Sequence, residues 1–469
     1  MLKVLSLFQS STINHKYTSF RKLSICIVGS GPAGFYCAQQ LLKILPSSTI
    51  DIFEKLPVPF GLVRYGVAPD HAEVKNVINN FSKTASNPRV KFIGNVSLGE
   101  HFTLADLKKA YHAVFLSYGA DQDVEFHVPG EKLGNIIPAR KFVGWYNGLP
   151  AEKDIPVNLA TETVAIFGQG NVAVDVARIL LKSVDELKKT DIAEHALAKL
   201  AESKVKNVHL IGRRGPLQVA FTIKELREIV KLPGVQPIID SRNFQEIHST
   251  LSELPRPRKR LTELLIKTAA ESTTKDPCSK KLYISFLRSP KNFVGSEFVE
   301  GVELTVNKFK SSSNVPYEEQ KFEPTDKTEH FPTELIFKSI GYKSSIVDPE
   351  IPFYRPNCIG NTRVSPGVYS AGWVCTGPTG VILSTMNNAF NTANLILEDM
   401  KNNVILSEAK KPGSEYILSL LKSQNIRTVD WEGWKKIDEV EISRGKERSK
   451  PREKIVDIEE MVDIGGCNY

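Results

Sequence analysis

Cysteine is scarce and scattered in this sequence. Six cysteines occur in 469 residues, and no two of them have the Cys-x-x-Cys spacing. Their separation argues against a zinc ribbon and against a thioredoxin-type dithiol, both of which need closely spaced thiols. It also indicates a reducing compartment rather than a secreted, cross-linked protein. With 41% hydrophobic and 24% charged residues, the composition is that of an ordinary globular protein, which excludes a disordered or collagen-like chain.

Acidic residues are missing from the first 50 positions. The first 22 residues contain four cations, several serines and threonines and spaced apolar residues, whereas the first acid is Asp51. This composition is typical of a mitochondrial transit peptide, which we predict at residues 1–22, with a disordered basic tail as the alternative. Without these four cations the formal net charge of +8 falls to +4, so the overall charge gives no argument for a nucleic-acid partner.

One long run without charge could be mistaken for a membrane span. Residues 23–42 carry no charged side chain, and 20 such residues are enough to cross a bilayer. Three glycines and Pro32 interrupt the run, however, so it is better interpreted as a buried strand, a tight turn and a helix. We therefore expect no transmembrane segment.

A glycine motif lies where this strand meets the helix. The apolar residues 23–28 lead into Gly29, Gly31 and Gly34 in the pattern Gly-x-Gly-x-x-Gly, and residues 35–45 then have helical spacing. In this pattern the first glycine allows a tight turn and the second lets a pyrophosphate approach the backbone. The third lets the helix pack closely on the strand. The free N–H groups at the helix start favour phosphate binding.

An acidic residue stands at the spacing that a dinucleotide site requires. The second predicted strand, residues 50–53, ends at Glu54, twenty residues beyond Gly34. At this position a carboxylate accepts hydrogen bonds from the hydroxyl groups of a ribose. Strand, glycine turn, helix, strand and acid together predict a dinucleotide site rather than a glycine turn without a ligand.

The same pattern recurs later in the chain. A strand at residues 163–167 leads into Gly168, Gly170 and Ala173, which occupy the places of the three glycines, and a helix follows. Because Ala173 replaces the third glycine, we expect the helix and the strand to lie slightly further apart. An inserted helical segment at residues 184–203 separates this unit from its next strand.

The end of that next strand indicates which coenzyme the second site binds. Residues 207–211 are followed by Gly212-Arg213-Arg214-Gly215, with no acid among them. Two guanidinium groups suit a 2′-phosphate, and no carboxylate is there to repel it. The second site is therefore predicted to bind NADP rather than NAD, with a solvated arginine pair as the alternative.

Two dinucleotide sites in one chain indicate electron transfer between two coenzymes. NADPH delivers a hydride, whereas a flavin accepts a hydride and releases electrons one at a time. We therefore predict FAD at the first site and NADPH at the second, on two doubly wound Rossmann-like α/β domains.

Several longer strings resemble the NADPH–adrenodoxin oxidoreductase family, the mitochondrial-type ferredoxin–NADP reductases with a glutathione-reductase-like plan. They are PVPFGLVRYGVAPDH (57–71), FVGWYNGLP (142–150), GQGNVAVDVAR (168–178), GRRGPLQVAFT (212–222), PRPRKRLTELL (255–265), AGWVCTGPTGVI (371–382) and KPREK (450–454). The resemblance runs from about residue 22 to near residue 460. It implies an NADP-binding domain at residues 124–345, inserted into an FAD-binding domain formed by residues 23–123 and 346–469.

The resemblance also implies the residues of both cofactor sites. For FAD these are Ala33, Glu54, Leu62, Val96, Trp373, Gly380, Val381 and Ile382, beside the turn of Gly29, Gly31 and Gly34. For NADP they are Gln169, Gly170, Asn171, Val172, Arg213, Arg214, Glu225 and Gly380, beside Gly168. Many two-domain flavoproteins have Asp where this chain has Trp373, whose indole either packs against the isoalloxazine or is simply a core residue.

Two residues, His71 and Glu228, are candidates for a role in proton transfer. His71 is either a proton relay near the flavin or the first residue of a helix, because a helix-start signal surrounds it. Glu225 and Glu228 lie one turn apart on a helix that begins near Thr222. Thr222 and Glu225 fit a capping box, which would explain Glu225 without a cofactor, and Glu228 could likewise be a solvated helix residue.

A short basic run next to an apolar helix at residues 261–266 is the candidate surface for a partner protein. The candidate docking residues are Arg227, Arg256, Arg258, Lys259 and Arg260. Such a run is more often only a solvated surface, but the family resemblance implies an acidic [2Fe-2S] ferredoxin, similar to adrenodoxin, that docks by charge.

The predicted function is that of an NADPH:ferredoxin oxidoreductase, a monomeric FAD flavoprotein on the matrix side of the inner mitochondrial membrane. A flavin- and NADPH-dependent monooxygenase would share both glycine motifs and is the first alternative. A non-enzymatic NADP-sensing scaffold is the second. The ferredoxin would pass the electrons on to sterol hydroxylation, haem synthesis or iron–sulfur assembly.

Three further segments carry expectations about the fold. Residues 402–469 are charged and helix-prone, with Trp431 and Trp434, and the KPREK string indicates that this tail packs back on the first domain. Residues 333–341 predict the strand that leaves the second domain. The polar residues 310–328 predict a loop or the edge of a hairpin.

Overall fold

The computed structural model describes residues 23–245, 247, 251–272, 280–310, 316, 319–351, 362–405 and 408–467. The predicted transit peptide lies outside these residues. The strands, in chain order, are β1 (Ser24–Val28), β2 (Thr49–Phe53), β3 (Val90–Ile93), β4 (Ala113–Leu116), β5 (Gln122–Asp123), β6 (Ile136–Pro138), β7 (Thr163–Phe167), β8 (Asn207–Ile211), β9 (Val235–Ile239), β10 (Lys280–Ser285), β11 (Arg288–Gly295), β12 (Val299–Phe309), β13 (Phe322–Pro332), β14 (Leu335–Lys338), β15 (Tyr342–Lys343), β16 (Arg363–Ser365), β17 (Val368–Ser370), β18 (Thr428–Val429) and β19 (Gly466–Cys467).

Helices alternate with these strands along most of the chain. They are α1 (Pro32–Ile44), α2 (Leu62–Tyr65), α3 (Ala72–Lys75), α4 (Ile78–Ala85), α5 (Leu104–Ala110), α6 (Ala139–Tyr146), α7 (Asn171–Leu181), α8 (Val184–Leu187), α9 (Glu194–Ala201), α10 (Ile223–Val230), α11 (Arg256–Glu271), α12 (Trp373–Thr376), α13 (Ile382–Lys401), α14 (Ser414–Ser423), α15 (Trp431–Glu447) and α16 (Ile458–Gly465). Within the described residues, no helix combines the length and the apolar character needed to cross a membrane.

The first sheet has the strand order β16-β17-β4-β1-β2-β3. All neighbours in it are parallel except β16, which pairs antiparallel with β17 at one edge. Val28 at the end of β1 pairs with both Phe53 and Leu116. The chain order reverses on either side of β1, which creates the crevice outside the strand ends where dinucleotides bind in such sheets. The predicted strands at residues 23–28 and 50–53 are confirmed within one residue.

The second sheet has the order β6-β14-β7-β8-β10-β9, and all its neighbours are parallel. Its strands β7 and β8 have the predicted bounds, and the strand predicted at residues 333–341 is β14, between β6 and β7. The helical insertion predicted at residues 184–203 consists of α8 and α9. Two parallel sheets with helices between their strands confirm the predicted fold class.

The chain crosses between the two sheets at two points that lie side by side. β5 lies between β4 of the first sheet and β6 of the second, and β15 lies between β14 of the second sheet and β16 of the first. These two short strands pair antiparallel, with Tyr342 opposite Asp123. The second sheet therefore begins and ends at one place, as in an inserted domain.

A three-stranded antiparallel sheet of β11, β12 and β13 was not predicted. Most residues of β13 are exposed or half-buried, and its sequence FEPTDKTEHFP lacks the alternation of apolar and polar residues that marks a half-buried strand. The hairpin-edge interpretation of residues 310–328 is confirmed for residues 322–328, which lie in β13 opposite β12.

The C-terminal tail packs on the first domain, as predicted. In α15, the ring of Trp434 lies edge-on to Phe60 with centroids 5.7 Å apart, and Trp431 meets the same ring at 6.2 Å. The guanidinium of Arg64, from α2, forms a buried ion pair with Glu441 of α15. Aromatic packing and a paired buried charge thus fix the tail to the segment of the first domain that follows β2 and contains α2.

The tail also reaches the second domain through the KPREK string. Lys454 Nζ lies 3.0 Å from Asp191 Oδ2, and Lys450 Nζ donates to the carbonyl oxygen of Ile192 at 2.5 Å. Asp191 accepts a further bond from Lys75 of the first domain at 2.6 Å. We call Lys450 and Lys454 with their partners the tail clamp. Burial lowers the pKa of Lys454 to about 7, although Asp191 counteracts the shift.

Candidate active site

The first glycine turn joins β1 to α1, and its glycines differ in their surroundings. Gly29 has a φ of +100°, and a Cβ there would lie 2.6 Å from the carbonyl oxygen of Ser117. A Cβ on Gly34 would lie 2.2 Å from the carbonyl oxygen of Gly29, whereas a Cβ on Gly31 would meet no atom within 4 Å. The turn is therefore closed toward the sheet and open beside Gly31, which fits a pyrophosphate at the start of α1.

Glu54 lies at the end of β2 and is held beside the glycine turn. Its Oε2 accepts from the backbone N–H of Ser30 at 2.9 Å and from the hydroxyl of Ser30 at 2.7 Å. Its Oε1 accepts from the N–H of Leu56 at 3.2 Å, and the N–H of Val96 donates to its backbone carbonyl at 2.9 Å. The carboxylate is thus oriented at the position expected for a ribose ligand, and Ser30 is a positioning residue that sequence reasoning missed.

Two further segments fold over the first turn. Gly61 precedes Leu62 at the start of α2, and a Cβ on Gly61 would lie 3.1 Å from the Cα of Gly31. Gly372, which lies shortly after β17, approaches α1 so closely that a Cβ added to it would lie 2.7 Å from the Cβ of Ala33. The structure therefore brings the predicted residues Ala33 and Leu62 and the return segment at Gly372 together around one turn.

Trp373 begins α12 directly after this return segment. Its ring is partly exposed and meets the ring of Tyr342 edge-on, with centroids 5.7 Å apart. Gly380 and Val381 are exposed just before α13, which Ile382 begins, and the side chain of Val381 is 55% exposed. A partly exposed indole and an exposed helix start are accessible to a ligand, which a fully buried core tryptophan would not be.

The second glycine turn, between β7 and α7, repeats the geometry of the first. Gly168 has a φ of +132°, and a Cβ there would lie 2.1 Å from the carbonyl oxygen of Ser339. A Cβ on Gly170 would again meet no atom within 4 Å. Ala173 is fully buried where α7 packs on the sheet. This turn is therefore also closed toward its sheet and open at the middle glycine, as a second pyrophosphate site requires.

The side chains within the second turn bind neighbouring loops. The side-chain Nε2 of Gln169 donates to the carbonyl oxygen of Ser285 at 2.9 Å. The backbone carbonyl oxygen of Gln169 accepts from the N–H groups of Ala220 and Phe221. The Oδ1 of Asn171 accepts from the N–H of Thr222 at 2.9 Å, and Val172 packs against the core of this domain. These contacts fix the loop before α10 beside the glycine turn.

Arg213 and Arg214 follow β8, as predicted, and both are exposed. In the described parts of the chain, no ion pair joins either guanidinium to a carboxylate. Arg213 lies over the ring of Phe322, 5.5 Å from its centroid. Partial burial of the guanidinium beneath its exposed surface, and then the charges of Arg213 and Arg258, lower the pKa of Arg214. Uncompensated positive charge of this kind fits an anionic ligand such as a 2′-phosphate.

The two catalytic candidates meet where the two domains face each other. His71 Nε2, just before α3, lies 2.8 Å from Glu228 Oε2 on α10. Glu225, one turn earlier on α10, instead accepts from the hydroxyl of Thr222. Thr222 makes no side-chain bond to a backbone N–H, and its own N–H donates to Asn171 rather than to Glu225, so neither half of the predicted capping box forms and that prediction is wrong.

A buried ion-pair network surrounds this histidine–glutamate contact. Arg178 of α7 binds Asp70 through two bonds of 2.8 and 2.9 Å, and Lys182 also binds Asp70 at 2.9 Å. The guanidinium of Arg178 further binds Asp175 at 2.7 Å. Burial raises the pKa of Asp175, with Arg178 and His71 opposing the shift. Sequence reasoning assigned no role to these residues, although the strings at 57–71 and 168–178 contain Asp70, Asp175 and Arg178.

We expect Asp70→Asn to lower the free energy of unfolding by about 3–5 kcal/mol, because Arg178 and Lys182 would keep their buried charges without the anion between them. Burial raises the pKa of Asp70, but Arg178 and Lys182 outweigh it and hold the pKa below the ordinary 3.8. A lowered pKa stabilises the fold above the pKa of the unfolded chain, so the stability difference should persist at neutral pH and shrink below about pH 4.

Urea unfolding of both proteins at several pH values measures this difference. The control is Asp185→Asn, because the Asp185–Lys188 pair has side chains 81% and 55% exposed and should leave the unfolding midpoint unchanged. A difference between wild type and Asp70→Asn that stays constant as the pH falls would contradict the assignment.

The predicted docking residues do not all face the same way. Arg227, Arg256 and Arg260 are exposed, whereas Lys259 is partly buried. Arg258 points inward and donates to the carbonyl oxygen of Val219 at 2.9 Å. The apolar helix predicted at residues 261–266 begins earlier than expected, at Arg256, so all four cations of the run lie in the first turns of α11.

The cysteines that the structure describes are not among the residues of the two glycine turns. Cys26, Cys37 and Cys467 form no disulfide, and Cys26, Cys37 and Cys375 are buried, Cys26 within β1. Burial raises the pKa of both Cys26 and Cys37 well above the ordinary value, which makes their thiols unreactive. Cys278 and Cys358 lie outside the described residues.

Two open glycine turns, on two domains that touch at a histidine–glutamate pair, define an FAD- and NAD(P)H-dependent oxidoreductase. Residues 27–93 match the family model of an NAD(P)-binding Rossmann-like domain. The chain is 47% identical to human mitochondrial NADPH:adrenodoxin oxidoreductase over 470 residues, covering 97% of this chain and 94% of the relative. It is 49% identical to the Drosophila melanogaster protein of the same name over 454 residues, covering 94% and 93%. The chain belongs to the NADPH:adrenodoxin oxidoreductase family, as its sequence strings predicted.

Solved structures give the same result. FprA from Mycobacterium tuberculosis in complex with NADPH superimposes with a TM-score of 0.89 at 35% identity, over 95% of this chain and 100% of that one. The likeness therefore extends over both sheets and the tail rather than over a single nucleotide-binding domain.

Proposed function

We propose that this protein oxidises NADPH and passes the electrons to an acidic, adrenodoxin-like [2Fe-2S] ferredoxin on the matrix side of the inner mitochondrial membrane. FAD is the cofactor that accepts a hydride and releases single electrons. The observation that carries the proposal is that two open glycine turns, one followed by Glu54 and the other by Arg213 and Arg214, lie on two domains that touch at His71 and Glu228. The protein acts as a monomer of two domains, with boundaries near residues 123 and 345.

The residues around the first turn suit FAD. Gly31 leaves room for the pyrophosphate, Glu54 is oriented toward a ribose, and Leu62 and Val96 border the same crevice. Trp373, with Gly380, Val381 and Ile382, presents an indole and an exposed helix start on the other side. Aromatic packing and free N–H groups are what an extended, partly anionic ring system requires.

The residues around the second turn suit NADP. Gly170 leaves room for the pyrophosphate, Gln169 and Asn171 hold the neighbouring loop, and Val172 supports the start of α7. The guanidinium groups of Arg213 and Arg214 provide charge for the 2′-phosphate. Glu225 borders this loop through its contact with Thr222.

His71 and Glu228 hold a proton at the domain seam. Their 2.8 Å separation means that a single proton lies between the ring nitrogen and the carboxylate. The ion pair of Arg178 with Asp70 fixes the residue next to His71 to helix α7, so the histidine and the second turn keep one relative position. Precise placement of this kind is the main requirement of hydride transfer.

The proposal is tested by the visible spectrum of the purified protein, followed by NADPH reduction with and without a mitochondrial ferredoxin. A bound flavin and slow NADPH oxidation that ferredoxin and a haem acceptor strongly accelerate would support it. Rapid oxygen consumption that depends on an organic substrate and not on ferredoxin would instead indicate a monooxygenase. A protein that stays colourless after FAD addition would contradict any flavoenzyme.

We expect His71→Gln and Glu228→Gln each to slow ferredoxin reduction about a hundredfold, the lower range for a positioned acid–base group. Because the two side chains share one proton, the double variant should be no slower than either single variant. Stopped-flow kinetics and NADPH titration measure rate and affinity separately, and the affinity should not change. The control is His127→Gln, whose side chain is 81% exposed. Additive losses in the double variant would show that the two residues act independently.

A further inference from the structure

A cavity of about 390 Å³ lies between the loop that follows β8 and the start of α11. Its lining includes Arg214, Gln218, Ala220, Pro255 and Arg258. None of the described side chains that line it is acidic. The volume is that of a small ligand pocket. The loop after β8 begins with Arg213 and Arg214, which are predicted to bind a 2′-phosphate. The cavity therefore extends from the predicted 2′-phosphate site toward α11.

Arg258 faces this cavity because of its position on the helix. Arg256 and Arg260 are four residues apart and share one exposed face of α11, whereas Arg258, two residues from each, lies on the opposite face. Its Nη1 donates to the carbonyl oxygen of Val219 in the cavity wall at 2.9 Å. The hydrogen bond holds the guanidinium in place at the pocket rather than at the outer surface.

Positive charge is concentrated at this pocket. Arg258 and Arg213 are both near enough to Arg214 for their charges to lower its pKa, in addition to the effect of burial. The positive end of the sixteen-residue helix α11 adds to the same field. A cavity that is lined by both Arg214 and Arg258 suits a ligand with more than one negative charge, such as a phosphate monoester.

We infer that Arg258 is a third arginine of the 2′-phosphate pocket and determines the preference for NADPH over NADH, rather than belonging to the ferredoxin surface. The inference rests on the proposed function in one respect, namely that the second turn holds NADP(H). The planar guanidinium can bind two phosphate oxygens at once, which distinguishes a 2′-phosphate from a ribose hydroxyl.

Calorimetric titration of the FAD-loaded full-length protein with 2′,5′-ADP and with 5′-AMP tests this role. We expect Arg258→Gln to weaken 2′,5′-ADP binding about tenfold to a hundredfold, which corresponds to one charge-assisted contact, and to leave 5′-AMP binding unchanged. Arg258→Lys keeps the positive charge but not the planar guanidinium, so its affinity for 2′,5′-ADP should lie between that of the wild type and that of Arg258→Gln. Steady-state KM should rise for NADPH and not for NADH.

Arg256→Gln is the matched control, because it removes one arginine from the outer face of the same helix turn. It should leave 2′,5′-ADP binding unchanged, and Arg258→Gln should leave the salt dependence of ferredoxin reduction unchanged. Wild-type affinity for 2′,5′-ADP in both Arg258 variants, or an equal loss of 2′,5′-ADP and 5′-AMP binding, would overturn the inference. A wild-type protein that does not prefer 2′,5′-ADP over 5′-AMP would instead contradict the NADP assignment of the second site.

Discussion

Replacing Gly170 by valine is expected to give a folded, yellow protein whose flavin NADPH no longer reduces. A Cβ at this position would meet no protein atom within 4 Å, so the substitution should not disturb the fold. A branched side chain there would fill the space through which a pyrophosphate approaches the backbone, and we expect NADPH affinity to fall by about a hundredfold or more. Anaerobic titration with NADPH, followed at the flavin absorbance, measures the effect.

The same substitution at Gly31 provides the matched comparison. Gly31 is equally open, so Gly31→Val should also fold, but it should be purified without flavin and should not turn yellow when FAD is added. The two variants therefore separate the two sites with one chemical change. If Gly170→Val were reduced by NADPH at the wild-type concentration dependence, the second turn would not be the coenzyme site.

The second large effect is expected from reversing the charge of Arg256 and Arg260 together. Both are exposed on one face of α11, where they can attract an acidic ferredoxin over a distance comparable to the Debye length. We expect the double change to glutamate to lower kcat/KM for ferredoxin about a hundredfold at low salt and to weaken its salt dependence. NADPH-dependent reduction of ferricyanide, which needs no docking surface, should be unchanged.

A variant with the same change in net charge at another place is the control for this experiment. Lys199 and Lys206 lie on α9 and just before β8, with side chains 60% and 53% exposed. Their change to glutamate should leave ferredoxin kinetics nearly unchanged. An equal loss of ferredoxin and ferricyanide reduction in the Arg256/Arg260 variant would refute a docking role.

The parts of the fold that depend on local sequence could be predicted. β7 and β8 are five-residue apolar strands that end at a glycine, so burial, strand length and the turn signal all agree. Beyond a hairpin edge within residues 310–328, the length and pairing of β13 could not be predicted, because it pairs only at an edge and its side chains are mostly in solvent. Its stability comes from backbone pairing with β12, which leaves no hydrophobic pattern in the sequence.

The contacts of the site depend on residues far apart in the chain. His71 and Glu228 were each candidates, but only the fold shows that they touch, 157 residues apart in sequence. Arg178 was missed because an arginine within a helical pattern normally faces solvent, and only the second domain's position turns it toward Asp70. The basic run was treated as one surface because the helix was expected to start after it. Pro257, within the first turn of α11, was the local sign of the earlier start.

The tail clamp has a consequence for the order in which the molecule is assembled. Lys454 contacts Asp191, which lies 263 residues earlier, and Glu441 neutralises Arg64 from the segment after the first turn. The tail follows every strand of both six-stranded sheets along the chain. Each sheet can therefore form during synthesis or import, whereas the contacts of the tail with both domains form only when the last helices dock. Until then Arg64 lacks its anion Glu441 and Asp191 lacks one of its two lysines, so the nearly complete chain is the stage most exposed to chaperones and proteases.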